Sequence, residues 1–105
     1  MVDYELDDLR REFLAEADEK VREIEAKAAD PSPASIERLS YLAHQLKGSG
    51  GSYGFQLISV EATKLEKAVE ELASGGDATG IGTQIAHSAA SLRTEIDRCT
   101  RALAH

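Results

Sequence analysis

A histidine followed one helical turn later by a lysine, His44 and Lys47, lies in a run otherwise cleared by glycine: Ala43-His44-Gln45-Leu46-Lys47-Gly48-Ser49-Gly50-Gly51-Ser52-Tyr53-Gly54-Phe55. An imidazole of ordinary pKa, about 6.5, is mostly uncharged at neutral pH and keeps one ring nitrogen with a free lone pair. That nitrogen is a nucleophile. An ammonium group one turn away would steady a phosphoryl group landing on it. A carboxylate on the other ring nitrogen would fix the tautomer and aim the lone pair outward. Glu66, at the edge of a later apolar helix, is the candidate for that carboxylate. Together these residue types suit attack on phosphorus.

The helix carrying His44 must present it. At about 100° per residue, Ile36, Leu39, Ala43, Leu46 and Gly50 form an apolar stripe. His44 lies off that stripe, with Ser40, Tyr41, Lys47, Gly48 and Gly51 as its neighbours at helical spacings. A glycine inside a helix costs roughly 1 kcal/mol relative to alanine, so Gly48, Gly50 and Gly51 within one turn require an offsetting reason. Gly48 and Gly51 share the face of His44 and leave it unfenced. Gly50 is on the packed face, where the missing side chain admits a neighbouring helix. Gly54 suits a helix end that needs positive φ.

Four helices are predicted, at about 4–29, 33–52, 55–73 and 80–103. The first buries Leu6, Leu9, Phe13, Ala17, Val21, Ile24 and Ala28; the third buries Ile58, Ala62, Leu65, Val69 and Leu72. The fourth keeps Ile81, Ile85, Ala89, Leu92, Ile96, Cys99 and Leu103 on one side. Asp30-Pro31-Ser32-Pro33 breaks the first helix from the second, with Ser32 as cap and Pro33 in the first turn. Ser74-Gly75-Gly76 ends the third helix, and the short connections favour antiparallel neighbours. The expected fold is all-α, an up-down-up-down antiparallel four-helix bundle with a solid core.

Composition agrees with one domain spanning 1–105: the 105 residues are 42% apolar and 30% charged, which suits a single core. A lone Cys99 excludes an internal disulfide and points to a reducing cytoplasm; its place on the buried stripe marks it as a core residue, not a reactive thiol. No stretch reads as membrane-spanning, and the charged start is no signal peptide, so a soluble cytoplasmic protein is expected. Residues 1–30 hold eleven acids against five bases, a net of −6 within the chain's −7. Such a balance argues against nucleic acid, and a solvated helix face explains it better than a docking surface for a basic partner.

Other constellations carry less. Residues 75–83 are glycine-rich but lack the lysine of a phosphate-binding loop and follow a helix, which makes them a turn. His87 lies opposite the apolar stripe and His105 is terminal; neither forms metal-ligand spacing with His44, so no metal or other cofactor is expected. No Ser, His and Asp set suggests a hydrolase.

His44-Gln45-Leu46-Lys47-Gly48 followed by Gly54-Phe55 resembles the signature of histidine-containing phosphotransfer (HPt) domains of two-component phosphorelays, and Leu65-Glu66 resembles the recurring Leu-Glu pair of that family. The likeness covers nearly the whole chain, with the outer helices matching in pattern more than in residues. It extends to the phosphotransfer domain of chemotaxis-type histidine kinases. The chain departs from many members in having Gly51-Ser52 in place of an Ala-Asn pair. The resemblance implies that His44 accepts phosphate on Nε2, that Lys47 steadies the phosphoryl group, and that Glu66 orients the ring. It implies receiver domains and a histidine kinase as partners of a monomeric carrier that is not itself an enzyme, with Mg²⁺ on the partner. Tyr41, Gln45, Gly48, Gly51 and Tyr53 are the expected docking rim. Two alternatives accompany this reading: an adaptor that binds receivers without being phosphorylated, and the phosphorylated domain of a chemotaxis-like kinase.

Overall fold

The polar punctuation between the apolar runs becomes helix caps. The computed structural model describes residues 4–30 and 32–104, and among these it forms four α-helices and no strand. They are α1 (Tyr4–Lys27), α2 (Pro33–Ser52), α3 (Gln56–Ala73) and α4 (Ala78–Leu103). Pro31 and His105 lie outside the described residues. Ser32 caps α2, its hydroxyl accepting from the Ser35 amide at 3.3 Å, with Pro33 in the first turn. Asp30 braces the cap by accepting from the Ser35 hydroxyl at 2.7 Å.

Three boundaries differ from the expected ones. α1 stops at Lys27, with Ala28 and Ala29 in a turn. α3 starts at Gln56, one residue after Phe55. α4 starts at Ala78 because the Asp77 carboxylate accepts from the Gly80 amide at 3.0 Å, which draws the glycine into the first turn.

The end of α2 fixes how α3 departs. Gly54 takes φ +85°, while the Phe55 amide donates to the Gly50 carbonyl at 2.8 Å and the Gly54 amide to Gly51 at 3.1 Å. This pattern, a left-handed residue with nested backward hydrogen bonds, closes a helix while satisfying its last carbonyls. Just before it, Gly50 lies against α3: a Cβ there would sit 3.2 Å from both Ile58 Cγ2 and the Ser59 amide nitrogen. Backbone cannot yield as a side-chain tip can. Gly50→Val is therefore expected to lower stability by about 2 kcal/mol despite removing a helix glycine, measured by urea unfolding; an unchanged midpoint would mean the helices are not this close.

One apolar core runs between the four helices, with Val21, Ile24, Leu39, Leu46, Ile58, Leu65, Leu92 and Ile96 almost wholly buried. Leu14, Leu42 and Ala68 are also buried, because each helix packs against two neighbours and turns a face wider than one stripe toward them. Ala28, Ile36, Leu72 and Leu103 are half-buried at the margins of the core. Leu6 and Leu9, expected inside, are exposed. Phe13 stacks on Tyr53 and Phe55 at centroid separations of 5.2 and 5.7 Å. This aromatic cluster closes the core, and the first two turns of α1 continue past it.

α2 packs most extensively on α3, α3 on α4, and α4 on α1, with a smaller α1–α2 contact. Arg10 Nε donates to the Tyr53 carbonyl at 3.2 Å and Arg11 Nη2 to the Leu103 carbonyl at 3.1 Å, so the start of α1 meets the ends of α2 and α4. The acidic character of α1 is partly spent inside the molecule. Arg93 of α4 reaches Asp18 and Glu25 of α1, and Arg38 of α2 makes two hydrogen bonds to Glu23 at 2.6 and 3.0 Å. The hydrogen bond from Arg93 holds the Asp18 carboxyl below the usual carboxylate range, and Arg38 does the same for Glu23. No helix among the described residues is long and apolar enough to cross a membrane.

Candidate functional site

α2 supplies His44 and Lys47, and α3 supplies Glu66; the turn at Gly54 and the close approach at Gly50 set the register between the two helices. Ser59, two turns before Glu66 on the same face of α3, adds a pin: its hydroxyl donates to the Lys47 carbonyl at 2.9 Å. Ser59 is not among the residues expected at the site from the sequence. Its spacing of seven from Glu66 was the available signal.

The three side chains converge on one carboxylate. Glu66 is 12% exposed and accepts from Lys47 Nζ on Oε1 at 2.7 Å, while His44 Nδ1 lies 2.9 Å from Oε2. The Lys47 hydrogen bond, helped by His44, holds the Glu66 carboxyl below its usual range against the opposing effect of burial. Glu66 is therefore ionised at neutral pH. An ionised carboxylate only accepts hydrogen bonds, so the proton between it and His44 sits on Nδ1. In the neutral ring this leaves the Nε2 lone pair unused. The His44 side chain is 69% exposed. The arrangement delivers an imidazole anchored at one nitrogen and open at the other.

Lys47 is placed differently from the simplest expectation of a cation waiting beside the ring, because its ammonium is engaged with Glu66. It stands one carboxylate away from His44.

Around this centre, Gly48 is exposed and a Cβ on it would meet nothing within 4 Å. Gly51 is half-buried and turned toward α3, where its Cβ would lie 3.7 Å from the Ser59 hydroxyl. Gln45 Nε2 donates to the Tyr41 hydroxyl at 2.7 Å, and the Arg38 guanidinium lies 5.3 Å from the centre of the Tyr41 ring. Tyr41 and His44 line a groove between α2 and α3. Tyr53 is half-buried in the aromatic cluster at the far end of α2, away from His44. His87 is exposed on α4. Cys99 is buried, and desolvation with Glu95 beside it pushes its thiol up to about 11, so it is protonated at neutral pH.

The profile of the Hpt domain matches residues 8–103 of the 105. No match was found among curated proteins or among solved structures. Hpt domains take part in phosphotransfer in two-component phosphorelays, as phosphocarriers that interact with histidine kinases and response regulators. The helical fold, the anchored imidazole and the extent of the match lead to one assignment: the chain belongs to the Hpt domain family.

Proposed function

We propose that this chain is a phosphocarrier in which His44 Nε2 accepts a phosphoryl group from a phospho-aspartyl receiver or a histidine kinase and passes it to a response regulator. The observation that carries this reading is the exposed imidazole whose Nδ1 is held by an ionised Glu66 at 2.9 Å. In transfer from a receiver, the N–P bond forms as the P–O bond to the aspartyl carboxylate breaks, and that carboxylate leaves with the electron pair. The ring gains positive charge, and Glu66 faces it across Nδ1–H. The reverse step regenerates the neutral ring. Preorganised charge of this kind needs no rearrangement when the reaction occurs. Lys47 would divide its charge between Glu66 and a phosphoryl group on Nε2. Mg²⁺ would belong to the receiver or kinase.

The span 1–105 is read as one such domain, and the reversed order of contacts at the start of α1 supports the antiparallel up-down-up-down arrangement. The test is to mix the protein with phosphorylated receivers, or with histidine kinases and ATP, and look for an acid-labile, alkali-stable label. An acid-stable label would contradict a phosphohistidine. Glu66→Gln removes the charge facing the ring and frees the tautomer, and the transfer rate is expected to fall about tenfold to a hundredfold, as when orienting partners of histidine ligands are lost. Stopped-flow transfer rates measure it, and a wild-type rate would remove Glu66 from the mechanism.

A further inference from the structure

Glu66 and Lys47 meet on long, flexible side chains, and bonds of that kind follow a small shift of either helix as readily as they resist it. They cannot set the register by themselves. Among the described residues, the only other side-chain hydrogen bond between α2 and α3 runs from the Ser59 hydroxyl to the Lys47 carbonyl, at 2.9 Å. It ties backbone to backbone through a single side-chain torsion. The helices cross closely there: a Cβ on Gly50 would lie 3.2 Å from the Ser59 amide nitrogen, and one on Gly51 would lie 3.7 Å from the Ser59 hydroxyl. Two of the glycines that follow the histidine thus flank this contact. Ser59 is half-buried, and Glu66 follows it on the same face of α3 after about 10 Å of unbroken helix. A rigid rod carries a displacement at Ser59 to the carboxylate. On α2 the accepting carbonyl belongs to Lys47 itself, one turn from His44.

We propose that Ser59 is a positioning residue for phosphoryl transfer: its hydroxyl holds α3 in the register that keeps Glu66 Oε2 on His44 Nδ1, and so keeps the ring in one tautomer with Nε2 free. The inference rests on the phosphocarrier reading and adds to it a residue that touches neither the ring nor the phosphoryl group. An orienting carboxylate acts only while it stays on its nitrogen. With the tie removed, Glu66 keeps its bond to Lys47 while the imidazole is held for less of the time, and a neutral ring without that partner takes up both tautomers. A ring with its proton on Nε2 has no lone pair there to attack with. Thr63 supplies the contrast. It lies between Ser59 and Glu66 and is half-buried, but its hydroxyl donates to the Ser59 carbonyl at 2.8 Å within α3. Removing that hydroxyl breaks no bond between the helices.

The experiment follows phosphorylation of wild type, Ser59→Ala, Thr63→Val, Glu66→Gln and the double variant Ser59→Ala/Glu66→Gln by phosphoramidate, a small donor whose amine leaves as ammonia and which needs no docking surface. Ring ¹⁵N shifts of the same unphosphorylated proteins report the His44 tautomer. Alanine is the better helix former, so Ser59→Ala keeps its helices, and circular dichroism checks this. Ser59→Ala is expected to react about threefold to tenfold more slowly, short of the full loss of an orienting partner, and to show a smaller Nδ1–H fraction. In the Glu66→Gln background the same substitution should change the rate by less than about twofold, because a residue acting through Glu66 has lost the group it acts on. Thr63→Val should match wild type in rate and tautomer. A wild-type rate in Ser59→Ala, a slower rate with an unchanged tautomer, or losses that multiply in the double variant would overturn the positioning role while leaving the phosphocarrier intact. If wild type takes no label from phosphoramidate or from phosphorylated receivers, the phosphocarrier reading fails, and the tautomer comparison alone decides whether Ser59 holds Glu66 on the ring.

Discussion

Replacing His44 by glutamine is expected to abolish phosphoryl acceptance altogether while leaving the fold intact. The side chain is 69% exposed and its polar contact is with Glu66, which keeps Lys47 as a partner when the ring is gone. Stability should therefore change by no more than about 1 kcal/mol, the range of an exposed polar contact. Function should change completely, because a carboxamide offers no nucleophilic nitrogen. Among the described residues the other candidate nucleophiles stand apart from the site: Cys99 is buried with its thiol raised to about 11, and His87 stands on α4, outside the α2–α3 site. Circular dichroism and label incorporation, measured on the same preparation, check both halves. Undiminished incorporation would move the chemistry to another residue. Loss of incorporation together with loss of helix would show that His44 has a structural part beyond its contact with Glu66.

The second large effect separates stability from activity at Gly48. A Cβ there meets nothing within 4 Å, so the helix gains from any better helix former, by roughly 1 kcal/mol for alanine and somewhat less for glutamine. Gly48 is also four residues after His44 and shares its face. Gly48→Gln should raise the melting temperature by a few degrees, since 1 kcal/mol is about 4–8 °C in a domain of this size. It should also slow transfer from a receiver about a hundredfold. In-line attack needs the reacting atoms within about 3–3.5 Å, and a misplacement near 1 Å costs about that factor. Gly48→Ala, with its shorter side chain, should keep the stability gain and most of the activity. A Gly48→Gln protein that is stabilised yet transfers at the wild-type rate would mean that the partner does not approach over this residue.

How much of the fold was legible in the chain depended on whether local spacing or helix-to-helix geometry decided it. The α4 stripe from Ile81 to Cys99 was readable because its buried residues repeat at the helical period. Gly50 and Gly54 were readable because a glycine in a helix, or at its end, has few physical reasons to be there. Leu6 and Leu9 were not, since they continue the period correctly but pass beyond the Phe13–Tyr53–Phe55 cluster, where no helix remains to cover them. Leu42 was missed because a helix touching two neighbours buries more than one row. Asp77 shifted the start of α4 by capping ahead of a glycine that looked like part of a turn.

The site divides the same way. Glu66 could be named because it sits at the margin of the α3 stripe, and Gly54 brings that margin to α2. The Lys47–Glu66 pair could not, because a flexible ammonium chooses among acceptors only once distances are known. Gly51 looked equivalent to Gly48 on a helical wheel, yet it turns toward Ser59 because α3 crosses there. The part Tyr53 takes in the aromatic closure is likewise set by how the helix ends meet. The groove with its braced Tyr41 depends on how α2 and α3 diverge from the Gly54 turn, which no periodicity encodes.

The most direct test is long-range ¹H–¹⁵N and ³¹P NMR of the protein before and after phosphorylation. The free protein should show His44 as the Nδ1–H tautomer, and the phosphorylated protein should show phosphorus bonded to Nε2 of the same ring. Phosphorus on Nδ1, or on any other residue, would contradict both the orienting role of Glu66 and the exposed Nε2 as the nucleophile.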